Sequence, residues 1–290
     1  MGFRIVNKIS LNSVVSRIAI EAPAVAKRTK PGQFVVIRVD EKGERIPLTV
    51  ASKDVTKGVI TIIVQALGKT TKKLSSLKKG DQILDLIGPL GKPTDFGKIG
   101  KTVFVGGGVG IAEILPVLGY AKAQGNHIVS ILGARTKELL ILVEEIKLLS
   151  DEVILVTDDG SFGEKGNVLG PLERTLQAVK PDLCYAVGPD IMMRAVSDLT
   201  RKDKIRTIVS LDANMIDATG MCGTCRVKVG DKILFTCVDG PEFDGHLIHW
   251  DAFLKRQKRF SKEERLADEL YTKEHPCQRQ NAKNRTQNKG

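Results

Sequence analysis

The sequence predicts a β barrel, then an α/β unit with a parallel sheet, then a small cysteine-bearing unit. Three observations carry this reading. Short apolar runs with period-two alternation recur between turn signals over residues 3–90. From Lys101 onward, apolar runs alternate with amphipathic helical stretches. Between positions 217 and 237, an aspartate and three cysteines stand at a spacing that core packing does not require. The implied units are residues 1–98, 99–208 and 209–250, with 251–290 a charged helix and polar tail.

In the first unit, Phe3–Ile9, Val14–Ile20, Gln33–Val39, Ile46–Ser52, Val59–Ala66 and Gln82–Ile87 read as strands. Their alternation and their spacing of roughly 8–12 residues fit a small antiparallel barrel. Asp40-Glu41-Lys42-Gly43 reads as a hairpin loop, Lys79-Gly80-Asp81 as a turn, and Thr70–Leu77 as one short helix. Three local features stand out. Arg45-Ile46-Pro47-Leu48-Thr49 puts a guanidinium, a rigid bend and a hydroxyl into one strand. Gly68-Lys69-Thr70-Thr71 precedes the short helix, where free N–H groups and the helix dipole favour a phosphate. It is not a P-loop, because the upstream glycine of that pattern falls at Ile63. Gly88-Pro89-Leu90-Gly91 closes the barrel. Taken singly, each is equally a solvated edge charge or an ordinary turn.

The second unit opens with strand Thr102–Val105, a turn at Gly106-Gly107-Gly108-Val109-Gly110, and helix Ala112–Gln124. Strand His127–Leu132, helix Thr136–Ser150, strand Val153–Thr157, helix Leu169–Ala178, strand Leu183–Val187, helix Asp190–Thr200 and strand Thr207–Leu211 follow. Such alternation implies a parallel sheet with helices on both faces and ligands at the carboxyl ends of its strands. The glycine turn departs from G-x-G-x-x-G, since the third glycine falls at Ile111 or Glu113. No acidic residue ends the second strand, where Gly133-Ala134-Arg135 stands. Three consecutive glycines after a buried strand point to close approach by a ligand rather than to a turn alone.

The third unit carries Asp217, Cys222, Cys225 and Cys237 as D-x4-C-x2-C-x11-C. Plant-type [2Fe–2S] proteins use C-x4-C-x2-C with a distant fourth cysteine, so an aspartate here replaces the first thiolate. Gly220 and Gly223 let such a loop bend around inorganic sulfide. The same residues could bind zinc, although closed structural zinc sites mostly use Cys and His. They could also be buried thiols, with Asp217 as a turn residue.

Five cysteines in this pattern do not form a disulfide framework, and no apolar stretch approaches a membrane span. A soluble, cytoplasmic protein is expected. The net charge of +11 raises nucleic acid as a partner, but residues 251–290 hold eleven Lys/Arg against six Asp/Glu and so supply +5 of it. The rest is spread thinly, with aromatics at only 4% and no aromatic–basic interleaving, which fits an acidic protein partner at least as well.

In order, Arg-x-Pro-Leu-Thr, Gly-Lys-Thr-Thr, Gly-Gly-Gly-Val-Gly and Asp-x4-Cys-x2-Cys-x11-Cys resemble the ferredoxin–NADP reductase superfamily over residues 3–250. Within it, the chain resembles the dihydroorotate dehydrogenase electron-transfer-subunit branch, and there the small subunits of NADH-dependent ferredoxin:NADP oxidoreductases, or sulfide dehydrogenases. The resemblance implies an FAD-binding barrel, an NAD(P)(H)-binding sheet and a C-terminal [2Fe–2S] domain. It implies FAD at Arg45, Pro47, Leu48 and Thr49, with Arg45 on the pyrophosphate and Thr49 in the catalytic position near the reactive flavin nitrogen. Ile63, Val64 and Gln65 would pass the flavin, and Gly68, Thr70 and Thr71 would hold its phosphates. Gly107, Gly108, Val109 and Gly110 would line the nicotinamide pocket, with Arg135, Asp158, Asp159 and Gly160 on its adenosine side. Asp217, Cys222, Cys225 and Cys237 would carry the cluster, and Asp217 argues against the pyrimidine-pathway subunits, which use four cysteines. The implied activity is hydride exchange between NAD(H) or NADP(H) and FAD, with single electrons passing through the cluster to or from a larger flavin/[4Fe–4S] subunit. Ferredoxin is the implied indirect partner; neither nucleic acid nor membrane is implied.

Three positions depart from the superfamily pattern: Leu48 replaces a flavin-stacking tyrosine, Val187-Gly188-Pro189 replaces Cys-Gly-Pro, and Glu113 replaces a common proline. Two other readings stay open, an electron-transfer subunit of dihydroorotate dehydrogenase and a zinc-bearing NAD(P)-sensing regulatory module. Residues 251–273 read as one charged helix, either docked on a partner or a solvated cap. His246 and His249 read as structural, Cys184 as a core thiol, and the segment beyond His275 as polar and frayed.

Overall fold

The computed structural model describes residues 2–275 of the chain. Period-two patterning does in the barrel what it must: it turns every second residue inward. Strands β1 (Phe3–Ser10), β2 (Val15–Glu21), β3 (Phe34–Arg38), β4 (Arg45–Asp54), β5 (Val59–Gln65), β6 (Gln82–Ile83) and β7 (Asp85–Leu90) pair antiparallel in the order β6-β1-β2-β5-β4-β3-β7. Opposing Ile18 with Ile62, and Ile20 with Ile60, seals four fully buried side chains across β2 and β5. Only Leu84 separates the two edge strands, so the chain itself spans the seam and the barrel is nearly closed. The single strand expected over Gln82–Ile87 therefore breaks in two. Its first part pairs with β1 and its second with β3, and one straight strand cannot serve both edges. Helix α1 (Pro23–Arg28), unforeseen from the sequence, starts on a proline whose fixed φ suits a first turn; α2 (Lys69–Ser76) matches the expected short helix.

The second sheet contains β8 (Lys101–Gly107), β9 (His127–Ala134), β10 (Glu152–Thr157), β11 (Glu164–Lys165), β12 (Leu183–Val187) and β13 (Arg206–Ser210), all parallel. Helices α3 (Gly110–Ala123), α4 (Val143–Leu149), α5 (Leu169–Val179) and α6 (Asp190–Lys202) connect them. The order β11-β10-β9-β8-β12-β13 reverses between β8 and β12, which opens a crevice at their carboxyl ends. The expected helix over Thr136–Ser150 is shorter. Leu139-Leu140-Ile141-Leu142 is a continuous apolar run that one helical stripe cannot bury; the chain unwinds at Leu142 (φ 57°), and Ile141 and Leu142 both enter the core.

The last part is a hairpin of β14 (Arg226–Val229) and β15 (Lys232–Phe235), a short helix α7 (Thr236–Asp239) bearing Cys237, and β16 (Glu242–Asp244). Strand β16, only three residues long and invisible to periodicity, adds antiparallel to β13. Its Glu242 carboxylate accepts hydrogen bonds from Thr94 Oγ1, just past the barrel, and from Tyr185 Oη of β12 at 2.7 Å. One half-buried carboxyl thus ties three parts of the chain together; desolvation raises its pKa, and the two hydroxyl donors offset this in part.

The expected single helix over 251–273 is broken. Helices α8 (Trp250–Gln257) and α9 (Ser261–Glu274) flank a 3-10 turn at Lys258–Phe260. The pair packs on its own chain through one face, and most of α9 stays exposed. Lys72 of α2 bonds Asp268 of α9 at 2.6 Å. Trp250 and Phe253 are buried edge to face, and Trp250 Nε1 donates to the Gly245 carbonyl. Cys184 is a core thiol whose pKa burial pushes up to about 12. His246 and His249 bond Thr200 and the Gly230 carbonyl, as structural residues do. Cys277 and the polar tail lie outside the described residues. Among the described residues, no helix is long and apolar enough to cross a membrane.

Trp250→Ala removes the anchor of the C-terminal helices. It should lower stability by about 3–5 kcal/mol, read as a drop in the urea midpoint.

Candidate functional site

Two clefts open where the barrel meets the sheet. The first, about 830 Å³, is lined by Arg45, Pro47, Leu48 and Thr49 of β4, by Ile63 and Gln65 of β5, and by Thr71. Val64, Gly68 and Thr70 are not on its wall. Period two turns the Val64 side chain into the barrel core, and Thr70 is buried in the first turn of α2. Thr71 Oγ1 accepts the N–H groups of Leu67 and Gly68 at 3.0 and 3.1 Å, which shapes the entry into α2. The first-turn N–H groups that follow have no intrahelical acceptor. Arg45 faces Asp85 at 3.4 Å in a half-exposed pair, a contact a phosphate could replace without much loss.

The second cleft, about 620 Å³, lies at the sheet's point of reversal and is lined by Gly107, Gly108, Val109, Gly110, Arg135 and Asp158. Asp159 and Gly160 are not on its wall. Asp159 Oδ1 accepts both the N–H and the O–H of Ser161, an ordinary local turn. The glycines divide by cause. A Cβ on Gly107 would meet Met192 Sδ at 2.4 Å, and one on Gly110 would meet the Val187 carbonyl at 2.4 Å. Gly107 thus serves the packing of β8 against α6, and Gly110 that of α3 against β12. Only Gly108, with φ 58° and no atom within 4 Å of where a Cβ would stand, faces open space. The glycine run is therefore mostly internal packing, with one position free for a ligand.

Gln65, Leu67, Val109, Glu113, Asp212 and Gln257 belong to both clefts. Glu113, in the first turn of α3, reaches across to the barrel, with Oε2 3.3 Å from Thr49 Oγ1. Desolvation between the cleft walls, aided by the charge of Asp212, pushes its pKa up to about 8 against the opposing Thr49 hydrogen bond. Asp212 is pushed to about 6 by desolvation and then by Asp190. Both carboxyls line open clefts, so these shifts act in full only when a ligand fills the space beside them. Gln257 Nε2 donates to the Asp212 carbonyl at 2.6 Å and to Asp190 Oδ2 at 3.3 Å. Phe260, Glu263 and Glu264 extend the first cleft. Sequence reasoning missed this contribution of the C-terminal helices; its one signal was apolar Phe253 and Phe260 within a charged helix.

The cysteine loop is built on left-handed turns at Ala218, Gly220 and Gly223. Asp217 accepts the N–H groups of Thr219 and Cys222, each at 2.8 Å, which depresses its pKa. Its carboxylate thus braces the loop that carries Cys222. Cys225 and Cys237 come together, Sγ to Sγ 3.3 Å; burial and that contact push the Cys237 thiol up to about 12, partly offset by the Gly220 N–H. Cys222 is exposed, and the Thr224 N–H points at its sulfur at 3.5 Å. Among the described residues, no three His, Cys, Asp or Glu side chains are already converged on a metal position. Assembly would have to draw Cys222 inward and release the thiol protons.

Comparison with known proteins decides the family. The oxidoreductase FAD-binding domain model matches residues 3–94, and the iron–sulfur cluster binding domain of dihydroorotate dehydrogenase B matches 212–249. A Thermotoga maritima protein, a homologue of the dihydroorotate dehydrogenase B (NAD(+)) electron transfer subunit, is 48% identical over 93% of this chain and 95% of its own length. A probable subunit of that kind from Methanocaldococcus jannaschii is 38% identical over 82% and 86%. The chain belongs to the dihydroorotate dehydrogenase B electron-transfer-subunit family. A solved NADH-dependent reduced ferredoxin–NADP oxidoreductase chain superposes on it with a TM-score of 0.87, at 45% identity over 93% of this chain and 98% of the other.

Membership makes this family member an FAD- and iron–sulfur-dependent oxidoreductase and settles the zinc alternative in favour of iron. The residues present fit both groups. The first cleft has the volume of a cofactor site, and its wall mixes apolar side chains with charged and hydroxyl groups that can hold a polar cofactor. The loop offers three soft thiols and a carboxylate.

Gly110→Ala forces α3 off β12 and should lower stability by about 1–3 kcal/mol. Gly108→Ala meets no atom and carries only the left-handed backbone cost of about 1–2 kcal/mol; urea unfolding separates the two. For Glu113 the sign follows from a folded pKa of about 8 against an ordinary 4.5. The folded state holds a proton that the unfolded state has lost, so its stability contribution falls as pH rises between those values. With FAD bound to both proteins, the melting temperature of Glu113→Gln relative to the parent should therefore climb from pH 5 to pH 8, and a flat difference would refute the shift.

Proposed function

We propose that this chain exchanges hydride between NAD(H) or NADP(H) in the second cleft and FAD in the first. It then passes single electrons through a [2Fe–2S] cluster to or from a larger partner subunit. The observation that carries the reading is the wall shared by the two clefts, from Gln65 to Gln257, across which their ligands would meet. FAD, when bound, converts two-electron hydride chemistry into one-electron traffic.

The chain's own residues hold and orient. In this reading Arg45 exchanges Asp85 for the FAD pyrophosphate, while Pro47 and Leu48 support the ring system. Thr49 presents its hydroxyl to the reacting edge, with Glu113 behind it able to hold a proton. Ile63 and Gln65 contribute wall and Val64 only main chain; Gly68, Thr70 and Thr71 offer the N–H groups at the start of α2. Gly107 and Gly110 set the close packing that lets Gly108 and Val109 approach the nicotinamide. Arg135 and Asp158 take the adenosine side, with Asp159 and Gly160 shaping the turn beside it. Cys222, Cys225 and Cys237 hold the irons, and Asp217 completes the set by trading a loop N–H for metal.

The larger partner is read as a flavin/[4Fe–4S] subunit with ferredoxin as its client. Support comes from the 45% identical chain of an NADH-dependent ferredoxin–NADP oxidoreductase. Neither nucleic acid nor membrane enters this reading, and a reducing cytoplasm suits the thiolates. A second reading, electron transfer for dihydroorotate oxidation, draws on the names of the curated relatives; Asp217 in place of a cysteine weighs against it. A co-purifying subunit that oxidises dihydroorotate would decide for that alternative.

Anaerobically purified protein should show a flavin absorbance band, iron and acid-labile sulfide, and a rhombic [2Fe–2S] EPR signal on reduction. Absence of both flavin and iron would overturn the proposal.

A further inference from the structure

Three guanidinium groups converge on the loop that carries Cys222 and Cys225. Arg256 of α8 donates to the Thr224 carbonyl at 3.0 Å, and Arg259 of the following 3-10 turn donates to the same oxygen at 3.2 Å. Arg226, next to Cys225, donates to the Gly223 carbonyl at 3.4 Å. Anchoring a loop needs one neutral donor, whereas here three like charges crowd two neighbouring carbonyls. Among the described residues, none of the three forms an ion pair with a carboxylate. Arg256 Nε is buried and has no acceptor. Desolvation and the charges of Arg226 and Arg259 lower the Arg256 pKa; among the described residues only negative charge on Cys225 acts the other way. A cationic cluster with an unused buried donor calls for an anion beside it.

We infer that Arg226, Arg256 and Arg259 form a cationic clamp that raises the reduction potential of the iron–sulfur cluster on the adjoining loop. The inference rests on the ligand assignment to Cys222, Cys225 and Cys237. Two ferric irons, two sulfides and four anionic ligands make a dianion, and one added electron makes a trianion with no bond or proton change. Fixed positive charge stabilises the trianion more, so it favours reduction. Arg256 carries most of the effect because it is partly buried, while the exposed Arg226 and Arg259 are screened by salt. These are positioning residues; none touches the flavin or nicotinamide clefts. Through Arg256 and Arg259, docking of the C-terminal helices is coupled to the electron affinity of the loop.

The test is redox titration of the anaerobic full-length chain, with iron, sulfide and EPR measured for each variant. Arg256→Gln should shift the reduction equilibrium about tenfold toward the oxidised cluster, about 59 mV for one electron, at unchanged iron content. Arg256→Lys, which restores charge but not Nε, should recover part of the shift. Arg259→Gln should move the potential the same way by less, and less again at high salt. Arg4→Gln, exposed on the barrel, should leave it unmoved. Iron-replete Arg256→Gln and Arg259→Gln with parental potentials, or an equal shift in Arg4→Gln, would overturn the clamp alone. If Arg256→Gln loses iron, Arg259→Gln and Arg256→Lys decide. Parental protein without iron or sulfide would overturn the ligand assignment and the clamp with it.

Discussion

Glu113 Oε2 sits 3.3 Å from Thr49 Oγ1, and that contact joins the first helix of the nucleotide sheet to the barrel strand bearing the Arg-x-Pro-Leu-Thr sequence. Both clefts exist because the two units meet here face to face and leave one wall in common. The Glu242 carboxyl, held by hydroxyls from Thr94 and Tyr185, is a second polar tie between the same two units. A buried carboxyl is tolerated at such a joint only when donors satisfy it, so the polar partners at each joint specify the relative placement of barrel and sheet.

The C-terminal helices extend this logic. Gln257 bonds the Asp212 carbonyl and Asp190, Asp268 bonds Lys72, and Arg256 bonds the Thr224 carbonyl. One short segment thereby touches the nucleotide sheet, the barrel helix and the cysteine loop. Only a few of its charged side chains make these contacts, and the outer face of α9 stays exposed.

Much of the architecture was legible because periodicity is a local property. Alternation marked the barrel strands, and strand–helix alternation marked the sheet. Where the reading failed, a non-local constraint had won. Gln82–Ile87 splits because it must pair with both barrel edges, Thr136–Ser150 shortens because an unbroken apolar run needs burial on more than one side, and β16 is too short to show a period. In the clefts, Arg45, Thr49, Gly108 and Arg135 stand where the motifs point. Val64, Thr70 and Asp159 do not, since the direction of a side chain depends on strand register and on the neighbouring turn. Gly107 and Gly110 sit on the cleft for packing reasons that a motif cannot distinguish from ligand approach.

The sequence alone determined the chemistry on offer: three thiols and a carboxylate at a cluster-like spacing, a glycine turn after a buried strand, and a strand carrying arginine, proline and a hydroxyl. Such inventories depend on residue type and on distance along the chain. Tertiary structure alone decided which groups meet. It put Glu113 against Thr49, brought Cys225 to Cys237, folded Gln257 over both clefts, and gathered Arg226, Arg256 and Arg259 on one loop. Thr49 and Glu113, for example, are 64 positions apart in the chain. Meetings of this kind follow from how sheets and helices pack, and packing leaves no trace in any local stretch of sequence.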